Sequence, residues 1–568
     1  MRHLRLILVF LAALGTVGVA QDTPDLRTRA ETSAFVETSS YDDVLRLVDG
    51  LVQASRLATW ERFGESLEGR ALPLLMLSNP SVVTPEAAHR LGRPIVLVMA
   101  NIHGGEVEGK EASLMLARRL AMGDLQPLLR ECVVLIAPIY NADGNEKISP
   151  ENRASQNGPV AGVGTRENAS GLDLNRDYMK LESPEARALM GLFARWDPHV
   201  VIDLHTTDGS YHGFHLTYAP SLNPNADPRL IELARDRLLP AIRAAMREQH
   251  GFDTYYYGNF ASDSGEGDAG PRVDPEHPGD TVWRTFDHRP RFGNNYVGLR
   301  NRVAILSEAY SYLDFESRIH ATEAFVEEAL KAVVGNASRI TQLTSRIDRE
   351  TVTMGGQVMP VGTSAAARRA REERNQGVAF ELQALPEPAT ILLGDVETRP
   401  NPRSGLDMRV RTDMAVPVPM KDYGTFTATR SVMMPRGWIL PRGIVESGRL
   451  ALALERLRLH GVEVQTVQAA ATVDVERFVI ETVTRAPQES QGHNEVRLTG
   501  HYEPAKLLVQ EGALYVSARQ PLSRLAFYLM NPETDDGFAT WEIITEGIAP
   551  GETFPIYRVT SPGGLRVE

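Results

Sequence analysis

The stretch Ile95-Val96-Leu97-Val98-Met99-Ala100, followed by Asn101-Ile102-His103-Gly104-Gly105-Glu106, decides how this chain is read. Six consecutive apolar residues read as a strand buried on both faces. The glycines soften the turn that follows, so an imidazole and a carboxylate can be aimed at one point. Two such groups and one distant histidine make a His2Glu metal site with its fourth position open, an arrangement suited to hydrolysis.

Two further apolar runs end the same way. His205 follows Val200-Val201-Ile202-Asp203-Leu204, and Glu308 follows Val303-Ala304-Ile305-Leu306-Ser307. In open α/β sheets, ligands bind beyond the carboxyl ends of the strands. A single histidine or glutamate at a strand end is ordinarily a solvated turn residue. Three coincident ends argue for a shared site.

Around these runs, residues 39–350 read as one α/β unit. Helical periods over 42–56, 109–121 and 184–194 alternate with strands over 71–78, 95–100, 133–139 and 199–204, and a long helix over 318–348 closes the unit. This alternation predicts a parallel or mixed sheet covered on both faces. Two connections, 141–171 and 259–295, are rich in Asn, Gly, Asp and Pro, and loops of that length read as binding walls. After about residue 355 the pattern changes. Strands are expected at 380–385, 391–396, 408–414, 425–433 and 513–518. One helix is expected over 449–460, with Ser447 as N-cap and Gly461 past its end. Residues 355–568 thus read as a β-rich accessory region of one or two domains, without metal-ligand spacing.

Composition narrows the class. At 568 residues the chain is too long for one ordinary domain, and 42% hydrophobic with 23% charged residues suits a globular fold with a large core. A formal net charge of −13 excludes a general nucleic-acid binder, which needs clustered Lys and Arg. Arg2, His3 and Arg5, the apolar run 6–19 and the small residues Gly18-Val19-Ala20 predict a cleaved export signal over 1–20. That run is shorter than the roughly 20 residues of a membrane span, so no span is expected after cleavage, and the mature chain should be periplasmic or secreted. Cys132, the only cysteine, opens an apolar run and reads as a buried hydrophobe.

Taken together, these pieces resemble the zinc metallocarboxypeptidase family of the carboxypeptidase A and D type, over roughly the first half of the chain. Gly64-Glu65-Ser66-Leu67-Glu68-Gly69-Arg70 is similar to the family's G-x-S-x-x-G-R segment. His103-x-x-Glu106 matches its first two ligands. Asn141-Ala142-Asp143-Gly144 resembles its N-P-D-G turn, with Ala142 for the proline, and Gly171-Leu172-Asp173-Leu174-Asn175-Arg176 resembles its G-x-D-x-N-R segment. The resemblance implies an eight-stranded mixed sheet between helices and one Zn²⁺ per chain, held by His103, Glu106 and His205. It implies Glu308 as the general base for a zinc-activated water, acting on the C-terminal bond of a peptide or protein, a cell-wall peptide included.

The remaining roles follow from the same resemblance. Asp173 would orient His103, with Asp203 as the competing carboxylate, better placed for His205. Asn175 and Arg176 would bind the substrate carboxylate, since a guanidinium fork matches a carboxylate. Arg166, at the spacing of carboxypeptidase D-like members, would stabilise the oxyanion, with Arg153 as runner-up or a solvated loop residue. The family's mobile-loop tyrosine falls near Phe286 and His288, with Tyr296 the nearest tyrosine, and is left unassigned. The stretch 291–298 should line the side-chain pocket. His212 and His215 are expected to line a loop without touching metal, His288 to face the cleft, and His320 and His460 to sit on helix surfaces. Two alternatives differ in class. One is a zinc amidohydrolase of the desuccinylase or aspartoacylase type acting on small N-acyl amino acids. The other is a non-catalytic binding protein on the same scaffold.

Overall fold

The computed structural model describes residues 25–263, 270–356, 372, 374–448 and 450–568. The expected signal segment 1–20 and the first residue of the helix expected over 449–460 lie outside them. Ten strands lie in the first half: β1 Ala58–Glu65, β2 Ala71–Leu77, β3 Ile95–Ala100, β4 Val133–Ala137, β5 Val200–Thr207, β6 Leu216–Ala219, β7 Thr254–Tyr256, β8 Asn259–Ser262, β9 Thr281–Arg284 and β10 Val303–Tyr310. Eight of them form one mixed sheet in the order β1-β2-β4-β3-β5-β10-β6-β7. The centre, β4-β3-β5-β10, is parallel, and the antiparallel pairings lie to either side of it. Every residue of β3, β4 and β5 is buried. A strand with no exposed side must be covered on both faces, which is why β3 and β4 are continuous apolar runs rather than alternating ones.

Six helices supply most of the cover: α1 Tyr41–Ala54, α2 Glu108–Met122, α3 Pro184–Trp196, α4 Leu239–His250, α5 Phe315–Gly335 and α6 Ala337–Gly356. The N-terminus of α1 is set by a capping box between Ser40 and Asp43, and α3 starts at Ser183 with Pro184 at its first position. The single helix expected over 318–348 is two helices, broken at Asn336. There the Asn336 amide donates back to Ala332 O while its Oδ1 accepts from Arg237, so a short polar side chain competes with the helix.

The second half is β-rich. Its largest sheet has six strands, dominated by a hairpin of Ala471–Arg485 and Val496–Val509 that the sequence reading passed over. The expected strand over 391–396 is two, Ala389–Leu393 and Val396–Pro400. The expected helix is Ala451–Leu459, and Gly461 at φ +81 ends it. Ser447 does not cap it; it closes a separate short helix, Arg442–Glu446.

The two halves share one core. A single hydrophobic cluster runs from Val44 on α1 through the sheet to Trp438, Phe527, Trp541 and Ile556. Phe214, Tyr255, Phe260 and Trp283 pack with Ile391, Leu393, Val418 and Met420 across the halves. Asp422–Tyr423 even pairs with β9, completing a three-stranded sheet begun by β8 and β9. Among the described residues, no helix is long and apolar enough to cross a membrane.

Candidate metal centre

The parallel register sets the site. Glu308 on β10 lies directly beside His205 on β5. Both strands run past these residues, to Thr207 and Tyr310, so neither side chain is at a frayed end. The next strand over, β3, stops at Ala100, where Asn101 takes φ +61 and turns the chain towards α2. The Asn101 amide then donates to the carbonyls of His103, Gly104 and Glu106, tying the ligand loop into one shape. Gly104 passes so close to the backbone of Gly144 and Thr165 that any Cβ there would collide.

Three ligating groups converge. His103 Nδ1 lies 2.9 Å from Glu106 Oε1, and His205 Nδ1 lies 3.0 Å from Glu106 Oε2. All three residues are buried, and their ligating atoms lie within 4.8 Å of one another. Behind each imidazole stands a carboxylate. His103 Nε2 is 3.1 Å from Asp173 Oδ1, and His205 Nε2 is 3.1 Å from Asp203 Oδ2. The two competing acids therefore each back a different histidine, an arrangement that fixes the ring with Nδ1 facing inward. Two imidazoles and a carboxylate in a buried cluster are the donor set zinc takes, so the residues fit that ion. One other three-residue group, His250, Glu327 and Glu328, occurs among the described residues, but Lys331 and Arg119 already neutralise its acids.

The electrostatics agree with a cation-accepting cluster. Burial alone would raise the Glu106 carboxyl, yet His103, His205 and Arg153 hold it well below the usual carboxylate range. Burial would likewise raise Asp173, but His103 and Arg166 hold it low. Burial opposes charge on His205, and Asp203 and Glu106 raise its pKa regardless. Glu308 behaves oppositely: desolvation in the cleft pushes its carboxyl up to about 8. The same burial thus acts on two neighbouring carboxyls with opposite net results, Glu106 held low by its cationic neighbours and Glu308 raised, which sets the two apart.

A cleft of about 370 Å³ opens over the cluster, lined by Arg166, Asn175, Arg176, Tyr257, Phe292 and Glu308 among others. A larger surface groove, about 1030 Å³, lies elsewhere between helices, and no group of three metal-ligating side chains among the described residues lines it. Chemistry rather than volume locates the site. Arg166 donates to Asp173 Oδ2 at 2.8 Å and stands 3.5 Å from His103 Nδ1. Arg153, which could have been a solvated loop residue, instead donates to Glu106 Oε1 at 3.1 Å and to Thr206 O. Arg176 stacks on Phe292 with its guanidinium 4.1 Å from the ring centre, while Asn175 Oδ1 accepts from Gly293 N at 3.0 Å.

The family-like segments meet around this cleft. Asp143 accepts from Ser66 Oγ, Glu68 N and Arg70, so the early G-x-S-x-x-G-R stretch and the 141–144 turn form one scaffold. Asn141 in turn holds Arg166 through its carbonyl.

Other expectations are corrected. His288 does not face the cleft; its Nε2 lies 2.9 Å from Asp535, between the rings of Phe380 and Phe426. Tyr296 is buried against His460, and His460 is fully buried rather than on a helix surface. His212 and His215 stay out of the ligand cluster, His212 stacking on Tyr310 at 4.0 Å. The tyrosine that does line the cleft is Tyr257, whose hydroxyl meets Thr207 and Asn259. Only local order, its place just after a strand, could have singled it out. The stretch 291–298 divides: Phe292, Gly293 and Asn294 line the cleft, but Arg291 points away to Asp536.

Residues 44–263 match the family model for zinc carboxypeptidase. Carboxypeptidase 2 from Trichophyton tonsurans is 23% identical over 513 residues, covering 87% of this chain and 81% of that protein. Human carboxypeptidase Z is 32% identical over 173 residues, 29% of this chain and 25% of that protein. A metallo-carboxypeptidase from Burkholderia cenocepacia superposes with a TM-score of 0.36 at 20% identity, covering 50% of this chain and 67% of that one.

Proposed function

Through its peptidase domain the chain belongs to the zinc metallocarboxypeptidase family, and from that premise we propose that it removes residues from free peptide C-termini at the cluster of His103, Glu106 and His205. The catalytic unit is assigned to residues 39–350, the accessory region to 355–568, and export to the segment 1–20. Zinc held by the three ligands supplies Lewis acidity towards a carbonyl oxygen and lowers the pKa of a water. Glu308 takes a proton from the attacking water and delivers it to the leaving amine; a carboxyl poised near neutrality suits both transfers. Asp173 and Asp203 keep His103 and His205 in the ligating orientation. Arg176, with Asn175 beside it, presents a cation on the cleft wall for the substrate carboxylate. Arg166 and Arg153, within reach of the ligand carboxylate, offer positive charge where an oxyanion develops.

One observation carries this reading: a buried His2Glu cluster, each histidine backed by a carboxylate, opens into the same cleft as Glu308 and the Arg176 guanidinium. The test is a matched panel assayed with the zinc-replete chain: peptides with free C-termini, the same peptides amidated, and small N-acyl amino acids. Release of C-terminal residues from free acids alone is expected, with the preference for free acids collapsing in Arg176→Ala. Preferential cleavage of the N-acyl amino acids would replace the peptidase reading by the amidohydrolase one. Zinc binding without turnover of any of the three would leave a binding protein.

A further inference from the structure

Two walls of the cleft are gripped from the second half of the chain. The first wall is the segment bearing Asp173, Asn175 and Arg176. Its Asp173 N–H donates to Gln491 Oε1 at 2.9 Å. Gln491 sits at the tip of the hairpin extension, in the bridged turn Ser490–His493, with φ +53 followed by Gly492 at φ +81. A non-glycine side chain in that region is strained, and strain of this kind persists where surrounding contacts fix it. The neighbouring His493 Nε2 lies 2.7 Å from Glu182 Oε1, a second hold on the same segment.

The second wall is the segment bearing Phe286, Phe292 and Gly293. Asp536, fully buried, accepts from Arg291 N at 2.6 Å and from Arg291 Nε at 2.9 Å. Glu495 accepts from Arg291 Nη1 at 2.6 Å and from Arg289 Nη1 at 3.2 Å. The Arg291 guanidinium lies 4.3 Å from the centre of the Trp541 ring, and Trp541 Nε1 donates to Asp536 Oδ1. The two walls meet each other at the carboxylate-binding candidates, Gly293 N on Asn175 Oδ1 and Phe292 under Arg176, with Tyr178 packed against Tyr296 beside them.

We infer that Gln491, Glu495 and Asp536 are positioning residues for recognition of the substrate carboxylate, acting from the C-terminal half through Asp173 and Arg291 on Asn175 and Arg176. This rests on the proposed carboxypeptidase reading and extends it: the accessory half is part of the binding cleft. A rigid hold matters because binding a bidentate group requires its partners at fixed separation, and a small misplacement is costly.

The test uses the full chain in three variants. Gln491→Ala removes the grip on Asp173, Asp536→Asn weakens the grip on Arg291, and Glu503→Gln alters the same hairpin away from the cleft. Gln491→Ala and Asp536→Asn are expected to raise KM for a free-acid peptide by up to about tenfold each, the upper end of what one lost hydrogen bond is worth. Bound zinc and kcat should stay at the parent level, and Glu503→Gln should match the parent throughout. Amide exchange at Asp173 should accelerate in Gln491→Ala. Unchanged KM and unchanged Asp173 exchange in that variant overturn the inference. So does a loss of kcat or zinc with KM unchanged, because these residues would then serve the metal centre instead. Should Asp536→Asn fail to fold, Gln491→Ala at the half-buried tip decides alone. If the parent hydrolyses no free-acid peptide, the functional reading fails, and Asp173 exchange still separates a hold that exists from one that does not.

Discussion

The two halves treat polar groups in opposite ways. In the first half, β5 is buried along its whole length, and still carries Asp203 and His205 inward. In the second half, the hairpin strand Val496–Val509 alternates buried with exposed positions, and its charges face solvent. A charge in a fully covered strand is tolerated only when partners satisfy it. The first half meets that demand at the ligand cluster. The second half meets it mainly where it touches the first: Asp536 against Arg291, and Arg524 against Asn301 and Asp227. Buried polarity therefore gathers at the candidate metal cluster in one half and at the contacts with that half in the other.

Replacing Glu308 by Gln breaks the comparison most severely if the assignment is wrong. The substitution keeps shape and leaves all three ligands, so zinc content and melting temperature should hold. Because general acid–base assistance is worth about 10² to 10⁴ in rate, kcat should fall by that range. Steady-state assay with metal analysis checks it, and turnover at the parent rate would remove Glu308 from the reaction.

The attachment side is sharpened by His460. Its Nδ1 lies 2.8 Å from the Tyr296 hydroxyl and its Nε2 3.2 Å from Met179 O, so it joins the second half to the first as a neutral ring. Burial pushes its pKa down to about 3 from the usual 6.5. The sign follows from linkage. Above pH 6.5 neither folded nor unfolded chain protonates it. As pH falls from 6.5 towards 3, only the unfolded chain takes up the proton, and stability drops by about 1.4 kcal/mol per unit. Buried His199 and His215, pushed down to about 4, and His212, to about 3, act in the same direction. Urea unfolding at pH 7 and pH 5 should thus show the parent losing about 2 kcal/mol more than His460→Gln does. Equal losses would mean the ring is charged in the fold.

What the sequence revealed follows the same division. The three side chains of the buried cluster and the four central strands were legible because full burial writes itself as largely apolar runs, and a polar residue late in such a run stands out. Asp173 and Asp203 were both visible, and strand alternation already put Asp203 on the same side as His205; the structure adds the distances, with one acid behind each imidazole. His460 and His288 were misread because their partners, Tyr296 and Asp535, lie far away in sequence. The long hairpin had a period-two signal at Val473, Val475 and the residues around Phe478, yet its turn at Gln491-Gly492 lies in a stretch that reads as loop. Nothing local announces that Gln491 meets Asp173.

The smallest expected effect lies on that hairpin's outer face. Arg477 and Glu503 are cross-strand partners, with Nη2 2.6 Å from Oε2, and their side chains are 49% and 39% exposed. Water already solvates both, and holding two long side chains together costs conformational entropy, so exposed pairs of this kind contribute about 0 to 1 kcal/mol. Glu503→Gln should shift the urea midpoint by no more than that, with the shift shrinking further in high salt as the remaining attraction is screened. A destabilisation several times larger, persisting in salt, would mean that this face is covered in the folded protein, and the contrast between an attached inner edge and a solvated outer one would no longer hold.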